Sequence, residues 1–401
     1  MKLKYRIKII EFFAAKTIFV AQYKIVGIWL NIKYNGIGWV ITNSLSYCET
    51  EEEAQQRIEK HTINRIRGKQ WYYKEKISYN SDNSNEKTKI FKQNDINIKS
   101  AYSKKLRYGE NPHQESTFFG NINDIFDQLH GKEISYNNLL DIDAAINLIK
   151  EFKDETIFVI LKHNNACGCA CNPKLIDAWK NALSGDPISA FGGILITNKE
   201  IDIETAQEIN KIFYEVIIAP SYQTKALNIL KSKKNRIILK KKSYNFPSKS
   251  FKSILNGVLI QDKDLKTETC DDMKCVTKKH PTDKEIDDLV FANILVKHSK
   301  SNTIVLVKNN QLIGSGVGQT SRVDSLKQSI EKANNFGKNL KGAVMASDAF
   351  FPFPDNVEIA HKAGITTIIQ PGGSIKDNES IKYCDENKLS MVFTGIRHFR
   401  H

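Results

Sequence analysis

The stretch Glu155-Thr156-Ile157-Phe158-Val159-Ile160-Leu161, followed at once by Lys162-His163, decides the fold class of this chain. The uninterrupted apolar run from Ile157 to Leu161 is typical of a strand that is buried on both faces. The segment before it carries apolar residues at helical spacing, namely Ile142, Ala145, Ile146 and Ile149. A buried strand that follows an amphipathic helix is the unit from which α/β folds are built.

The same alternation of helical and strand-like segments continues to the end of the chain. Asn309-Asn310 lies between two β-rich runs, as a hairpin turn would. Further helices are predicted around Ile203, Ala206 and Ile209, around Ile286, Leu289, Val290 and Ile294, and at 356–363. Further strands are predicted at 194–197, 216–219, 303–307, 311–316, 365–369 and 390–393. The chain is therefore predicted to be an α/β protein.

The charge of the chain leaves two explanations open. The formal net charge is +14, with 59 Lys and Arg against 45 Asp and Glu. Such an excess favours anionic partners, which include nucleic acid, an acidic membrane surface, and phosphorylated or polyglutamylated small molecules. The Lys residues are, however, scattered through a chain that is also rich in Asn and Ile, as an AT-biased genome would produce.

The cysteines and the hydropathy indicate the compartment. The seven Cys residues lack paired, regular spacing, so we expect free thiols in a reducing cytoplasm rather than a disulfide framework. Cys167, Cys169 and Cys171 are two apart, which does not match the ligand spacing of zinc sites, and no metal site is predicted from them. Charged residues interrupt the most hydrophobic stretch before it reaches membrane-spanning length. We expect a cytoplasmic protein with no membrane partner.

A constrained polar segment indicates where a ligand would bind. Leu106-Arg107-Tyr108-Gly109-Glu110-Asn111-Pro112-His113-Gln114 places a guanidinium, a phenol, an imidazole and amides around a Gly and a Pro that restrict the backbone. Arg107 offers a planar fork of donors suited to phosphate or carboxylate. A plain surface turn with a few polar groups is the alternative for this segment.

Other polar segments follow in chain order. Glycines followed by hydroxyls and Arg322 at a predicted helix start form a natural anion site, and a loop of Phe and Pro suits a flat heteroaromatic ligand. The segments are Lys162-His163, Ser189-Ala190-Phe191-Gly192-Gly193, Ser301-Asn302-Thr303, the stretch 316–322, the loop 347–356 and the C-terminal 394–401. Each alone has a structural alternative, namely surface charge, a bulge, a helix cap, a rigid loop or a solvated tail.

Taken in order, these motifs resemble the AICAR transformylase domain of the bifunctional purine biosynthesis enzymes, and the resemblance spans residues 101–401. It implies two cytidine-deaminase-like α/β subdomains. It also implies transfer of a formyl group from the cosubstrate 10-formyltetrahydrofolate to AICAR, which gives FAICAR and tetrahydrofolate. A homodimer is implied as well, and some members of the family bind a monovalent cation near the active site.

The resemblance also implies roles for individual residues. His163 is the general base that removes a proton from the weakly nucleophilic amine of AICAR, and Lys162 is the adjacent electrostatic partner. Asn302 is the third catalytic residue, and its amide orients the carboxamide or the formyl oxygen. The implied substrate-binding residues are Arg107, Tyr108, Ser189, Phe191, Gly192, Ser321, Arg322, Phe350, Asp355 and Arg397.

Residues 1–100 do not fit the bifunctional pattern. That family begins with a cyclohydrolase domain of nearly twice this length, whose glycine- and threonine-rich phosphate loops we do not find here. Residues 51–67 are predicted to form a charged helix, and 78–99 are typical of a linker. We therefore expect 1–100 to be a remnant or an unrelated extension of uncertain fold, followed by the transformylase domain at 101–401.

Two rival functions follow from the same sequence. A bifunctional enzyme would also cyclise FAICAR to IMP. A nucleic-acid-binding protein would account for the charge, but the basic residues are dispersed and no binding motif is recognised, so nucleic acid is not predicted as a partner.

Overall fold

The computed structural model describes residues 8–10, 18–20, 22–25, 28–31 and 103–401. The chain divides into two units, Met1–Ile90 and Phe91–His401. The described backbone of the first unit forms antiparallel pairs, β1 (Lys8–Ile10) with β2 (Ile18–Val20) and β3 (Gln22–Ile25) with β4 (Ile28–Asn31). The predicted helix at 51–67 and the predicted linker at 78–99 lie outside the described residues. The boundary between 1–100 and 101–401 therefore stays a prediction.

The second unit is a mixed α/β structure. Its helices in residues 103–401 are α1 (Tyr136–Ile149), α2 (Leu175–Leu183), α3 (Pro187–Ala190), α4 (Ile203–Ile209), α5 (Thr224–Leu230), α6 (Asp283–Lys297), α7 (Arg322–Asn335), α8 (Asp355–Lys362) and α9 (Asp377–Glu386). Among these helices of the described part, none has the length and apolar character needed to cross a membrane.

The strands of this unit form two large sheets and two short strand pairs. They are β5 (Ser103–Lys105), β6 (Thr117–Phe119), β7 (Phe126–His130), β8 (Ile157–Lys162), β9 (Asn165–Cys171), β10 (Ile194–Thr197), β11 (Val216–Ala219), β12 (Ile237–Lys241), β13 (Lys249–Ile254), β14 (Gly257–Asp262), β15 (Lys274–Cys275), β16 (Ile304–Val307), β17 (Leu312–Gly316), β18 (Val344–Ser347), β19 (Thr367–Gln370) and β20 (Ser390–Phe393). The helices and strands predicted within residues 103–401 are confirmed with small shifts at their ends, as is the α/β class.

The two large sheets share one topology. The strand order is β7-β12-β11-β10-β8-β9 in the first and β15-β20-β19-β18-β16-β17 in the second. In each sheet three consecutive strands are parallel and the others are antiparallel to their neighbours. Each half follows the order strand, helix, hairpin, and then helical crossovers to the parallel strands. The first half (126–241) and the second half (274–393) are therefore two copies of one architecture.

Helices α1 and α6 form a layer between the two sheets. Their apolar residues and the facing strands of both sheets make one continuous core. The outer face of the first sheet is covered by α2, α4 and α5, and that of the second sheet by α7, α8 and α9. Helix α6 buries even its polar residues Asp288, Asn293 and Lys297.

The two central helices begin in the same way. Ser135 caps α1 and Thr282 caps α6, and each accepts a hydrogen bond from the backbone three residues on. The side-chain oxygens of Asn138 and Glu285 in turn accept a hydrogen bond from the backbone N–H of the capping residue, which completes a capping box in each half. The sequence therefore specifies both helix starts locally.

Glycine allows the same close approach of strand and helix in both halves. A Cβ added at Gly168 in β9 would lie 2.2 Å from the carbonyl oxygen of Ala182 in α2. A Cβ added at Gly314 in β17 would lie 2.4 Å from the carbonyl oxygen of Ser329 in α7. Both distances are far below van der Waals contact, so either helix would have to shift.

We expect Gly168→Ala and Gly314→Ala each to lower the free energy of unfolding by about 1–3 kcal/mol, the usual cost of overpacking. Gly257 in the exposed β13–β14 hairpin has open space around its Cβ position, so Gly257→Ala should change that free energy by less than about 0.5 kcal/mol. Urea denaturation measures all three. Equal losses in the three variants would contradict the packing explanation.

Candidate active site

Lys162 and His163 lie at the tip of a β-hairpin. Strand β8 is antiparallel to both of its neighbours, β9 and β10. Only His163 and Asn164 connect β8 to β9, and their φ angles are 51° and 66°. Positive φ at both central residues is the signature of a type I′ turn. The predicted Lys162-His163 segment therefore leads into a tight turn, which leaves the His163 side chain exposed to solvent.

This turn is held from two sides. The backbone N–H of Asn164 donates to Asp141 Oδ1 on α1 at 2.7 Å. The Asn165 side chain donates to the carbonyl oxygen of His163 at 2.9 Å and accepts from the backbone N–H of Lys300 at 3.1 Å. Because Lys300 begins the segment that carries Asn302, Asn165 links the candidate base in the first half to the second half.

The Lys162 side chain reaches the predicted Ser189–Gly193 segment. Its Nζ donates to the carbonyl oxygen of Phe191 at 2.8 Å. Gly192, at φ 76°, then turns the chain away and leaves the Phe191 ring 61% exposed. The ring lies 5.1 Å from that of Phe213, which is 48% exposed. Two solvent-exposed rings beside Lys162 offer a surface on which a flat ligand can stack.

Ser189 is engaged within the protein. Its hydroxyl donates to Asp186 Oδ2 at 2.6 Å, and Lys332 of α7 pairs with the same oxygen at 3.2 Å. Burial alone would raise the pKa of Asp186, but the hydrogen bonds from Ser189 and the charge of Lys332 lower it below its usual value. Asp186 is therefore a carboxylate at neutral pH, and it joins the two halves by an ion pair.

Arg322 brings together the polar groups of the second half. Its Nη2 donates to Asn302 Oδ1 at 2.8 Å and to Asp348 Oδ1 at 2.7 Å, and its Nη1 donates to the carbonyl oxygen of Phe350 at 3.4 Å. The Asp348 side chain is fully buried. The Asn302 amide nitrogen donates to two backbone carbonyl oxygens in the loop that precedes helix α7. The predicted residues Asn302, Arg322 and Phe350 therefore form one cluster. Asp348, which was not predicted as a site residue, is its fourth member.

Ser321 directly precedes helix α7, at the helix start that the sequence predicted. Its hydroxyl accepts a hydrogen bond from the backbone N–H of Asp324 at 3.1 Å, which makes it the N-cap. The structural alternative thus accounts for this hydroxyl, and its contact with substrate stays a prediction.

The Arg107 loop lies at the start of α1. The side chain of Asn137 in α1 donates to the carbonyl oxygen of Glu110 at 3.1 Å. Arg107 and Tyr108 contact each other, with the guanidinium 4.9 Å from the ring centroid and 3.3 Å from the hydroxyl. Helix α1 therefore contacts both segments: its first helical turn binds the Arg107 loop, and its residue Asp141 binds the hairpin turn of His163.

Asp355 and Arg397 lie in separate segments. Asp355 is the first residue of α8, and its carboxylate accepts from the Asn356 backbone N–H at 2.8 Å. Arg397 is exposed, and its guanidinium lies 4.3 Å from the ring centroid of Phe399. Beyond it, the backbone N–H of Ser301 donates to the carbonyl oxygen of Arg400 at 3.0 Å. This hydrogen bond ties the C-terminal segment to the residue before Asn302.

Buried His398 anchors that segment. Its Nδ1 lies 2.6 Å from Asp264 Oδ2 and its Nε2 lies 2.9 Å from Glu268 Oε2. Its backbone N–H donates to the carbonyl oxygen of Asp348 at 3.0 Å. Burial alone would lower the pKa of His398, but the hydrogen bonds to Glu268 and Asp264 raise it above its usual value. The sequence did not predict this role for His398, because a His close to Arg397 and Arg400 looks like part of a basic tail.

The pKa of His398 predicts how stability depends on pH. The folded protein binds this proton more tightly than the unfolded chain, so protonation favours folding. The stabilisation is complete below the unfolded value of about 6.5 and is lost as the pH rises through the higher folded pKa. We expect His398→Gln to lower the melting temperature most at pH 6 and least at pH 9. His113→Gln, at an exposed position, is the control and should leave the curve unchanged.

The three neighbouring cysteines are ordinary thiols in strand β9. Burial raises the pKa of Cys167 and of Cys171 to about 12, and it raises that of Cys169 as well. These side chains therefore stay protonated at neutral pH. Within residues 103–401, no three His, Cys, Asp or Glu side chains converge as a metal site would require.

The fold and site define a mixed α/β protein with duplicated topology, in which a turn with an exposed His163 is tied to the segment of an Asn–Arg–Asp cluster whose carboxylate is buried. The profile of the AICARFT/IMPCHase bienzyme family matches residues 38–332 of the chain. The chain belongs to this family.

Curated relatives are similar over most of this chain. The bifunctional purine biosynthesis protein PurH of Bacteroides thetaiotaomicron is 64% identical over 298 residues, which are 74% of this chain and 59% of that protein. The PurH protein of Persephonella marina is 50% identical over 309 residues, again 74% and 59%. That of Chlorobium luteolum is 48% identical over 306 residues, 74% and 58%. The chain thus spans about 59% of the length of the relatives it matches.

Proposed function

We propose that the chain is an AICAR formyltransferase of purine biosynthesis, which transfers the formyl group of 10-formyltetrahydrofolate to AICAR. Membership of the AICARFT/IMPCHase family supports this proposal, as do relatives whose names state a role in purine biosynthesis. One observation carries it: His163 is exposed on a turn that Asn165 ties to the segment of Asn302. A base and an amide are thereby held in neighbouring segments.

In the proposed reaction the amine nitrogen of AICAR attacks the formyl carbon. His163 takes the proton that the amine loses. The carbonyl oxygen becomes negatively charged, and the Lys162 ammonium stabilises it. The bond from the formyl carbon to N10 of the folate then breaks, and N10 takes up a proton. The products are FAICAR and tetrahydrofolate.

The binding groups suit anionic, aromatic substrates. Arg107, Arg322 and Arg397 are assigned to the phosphate and carboxamide of the nucleotide, and Phe191 and Phe350 to the aromatic rings. The net charge of +14 would favour a phosphorylated nucleotide and a polyglutamylated folate. Of the two explanations for the charge, this proposal favours anionic small molecules.

The finer features of the family enter as part of the same proposal. Each half is taken to be a cytidine-deaminase-like subdomain, which the repeated topology supports. The protein is proposed to work as a cytoplasmic homodimer. A monovalent cation near the active site, which the resemblance implies for some members, stays a prediction.

The test is a direct assay of the purified chain with AICAR and 10-formyltetrahydrofolate, with tetrahydrofolate and FAICAR as readouts. Incubation with FAICAR alone tests the second candidate function, which the word bifunctional in the relatives' names favours. Formation of IMP would add cyclohydrolase activity to the proposal. Salt-dependent binding of nucleic acid without any formyl transfer would overturn it.

A further inference from the structure

Two aspartates occupy the same place in the two central helices. Asp141 is the sixth residue of α1, and Asp288 is the sixth residue of α6. Each carboxylate accepts backbone N–H groups from the hairpin turn of its own half. Asp141 accepts from Asn164 at 2.7 Å, and Asp288 accepts from Asn309 at 2.9 Å and from Asn310 at 2.5 Å.

The turns that these carboxylates hold have the same backbone. The φ angles are 51° and 66° at His163 and Asn164, and 55° and 53° at Asn309 and Asn310. Residues other than glycine adopt this conformation infrequently without support from the surrounding structure, although Asn and His do so more readily than most. The hydrogen bond from the turn to the helix supplies that enforcement in both halves.

The environments of the two carboxylates are alike. Burial raises the pKa of Asp141 and that of Asp288, while the hydrogen bonds from the turn act in the opposite direction. The nearby charge of His163 also lowers the pKa of Asp141.

The tips of the turns differ. In the second half both residues are Asn, and the carbonyl oxygen of Asn310 accepts from the backbone N–H of Cys171 at 2.9 Å. That turn docks on strand β9, which is a structural role. In the first half the corresponding tip carries His163, whose side chain is exposed to solvent. The same hydrogen bonding from turn to helix thus holds a turn without a reactive side chain in one half and the turn with the candidate base in the other.

We infer that Asp141 is a positioning residue for His163: by holding the Asn164 amide, it fixes the turn from which the imidazole reaches the reacting amine. This inference rests on the proposed formyltransferase function. Asp288 performs the same task for a turn that carries no reactive group, and it is therefore an internal control.

The experiment compares Asp141→Ala with Asp288→Ala in the full chain. Both variants lose the acceptor of a type I′ turn, and both should lower the melting temperature. Only Asp141→Ala should lower kcat, by roughly 10-fold or more, because small misplacements of a catalytic group are costly. The KM values for AICAR and 10-formyltetrahydrofolate should change by less than about 2-fold. Asp141→Asn retains an oxygen acceptor and should recover most of kcat.

Equal kcat values for Asp141→Ala and the wild type, or equal losses in the two alanine variants, would overturn the inference. If the wild-type chain shows no formyl transfer, the proposed function fails, and the imidazole NMR signals of His163 decide the inference instead. They should shift or broaden in Asp141→Ala and stay unchanged in Asp288→Ala. Unchanged signals in both variants would refute the positioning role without reference to activity.

Discussion

Replacing His163 by asparagine is expected to lower kcat for formyl transfer by about 10²–10⁴-fold, the usual contribution of a positioned general base. The amine of AICAR must lose a proton as it attacks, and an amide cannot accept that proton. Asparagine tolerates positive φ, and Asn309 already occupies the corresponding position in the second half. His163→Asn should therefore remove the base while the turn keeps its geometry.

The measurement is the initial rate of tetrahydrofolate release at saturating AICAR and folate. The melting temperature is followed in parallel, and it should stay within a few degrees of the wild type. His280→Asn, at an exposed position outside the motif segments, controls for general effects of losing an imidazole and should keep its kcat. Full turnover by His163→Asn would exclude His163 as the base.

Removing Arg322 is expected to destabilise the protein by about 3–5 kcal/mol, as breaking a buried ion pair does in general. Arg322→Ala leaves the carboxylate of Asp348 fully buried, at 0% exposure, without its cationic partner. It also removes the donor to Asn302 Oδ1. Because Asp348 Oδ2 already has no hydrogen-bond partner within residues 103–401, the carboxylate would have little to offset its burial.

Guanidinium chloride denaturation measures this loss, and two further variants test its cause. Lys376→Ala breaks an exposed ion pair with Glu379 and should cost no more than about 1 kcal/mol. The double variant Arg322→Leu with Asp348→Leu removes both charges and should recover much of the loss. If the double variant were as unstable as Arg322→Ala, an uncompensated charge would not be the cause. Loss of formyl transfer is expected in both Arg322 variants, because Asn302 loses its orienting partner.

Local patterns predicted the elements of the fold. The apolar run from Ile157 to Leu161 forms a strand because each residue is buried on one of two covered faces, and Asn309-Asn310 forms the hairpin turn because Asn tolerates positive φ. The duplication of the topology could not be predicted in this way. It depends on which strands pair across the sheet, and pairing is decided by packing against α1 and α6 rather than by local composition.

In the candidate site, too, the features with a local signal could be predicted and the long-range contacts could not. Neighbouring motif residues, such as Ser321 and Arg322, were correctly predicted to lie at a helix start. Asp141 and His398 were missed because their partners lie far along the chain: Asp141 binds the turn after the next strand, and His398 binds Glu268, 130 residues away. A carboxylate in a helix or a histidine in a basic tail carries no local signal of such a partner.

The layer formed by α1 and α6 has a consequence for the order in which the chain folds. The apolar residues of both helices and of both sheets belong to one core. A nascent chain that ended before α6 would expose the apolar side chains of the first half that this shared core covers, a surface that invites aggregation. We therefore expect the folding of 103–401 to be completed only after the second half has been synthesised.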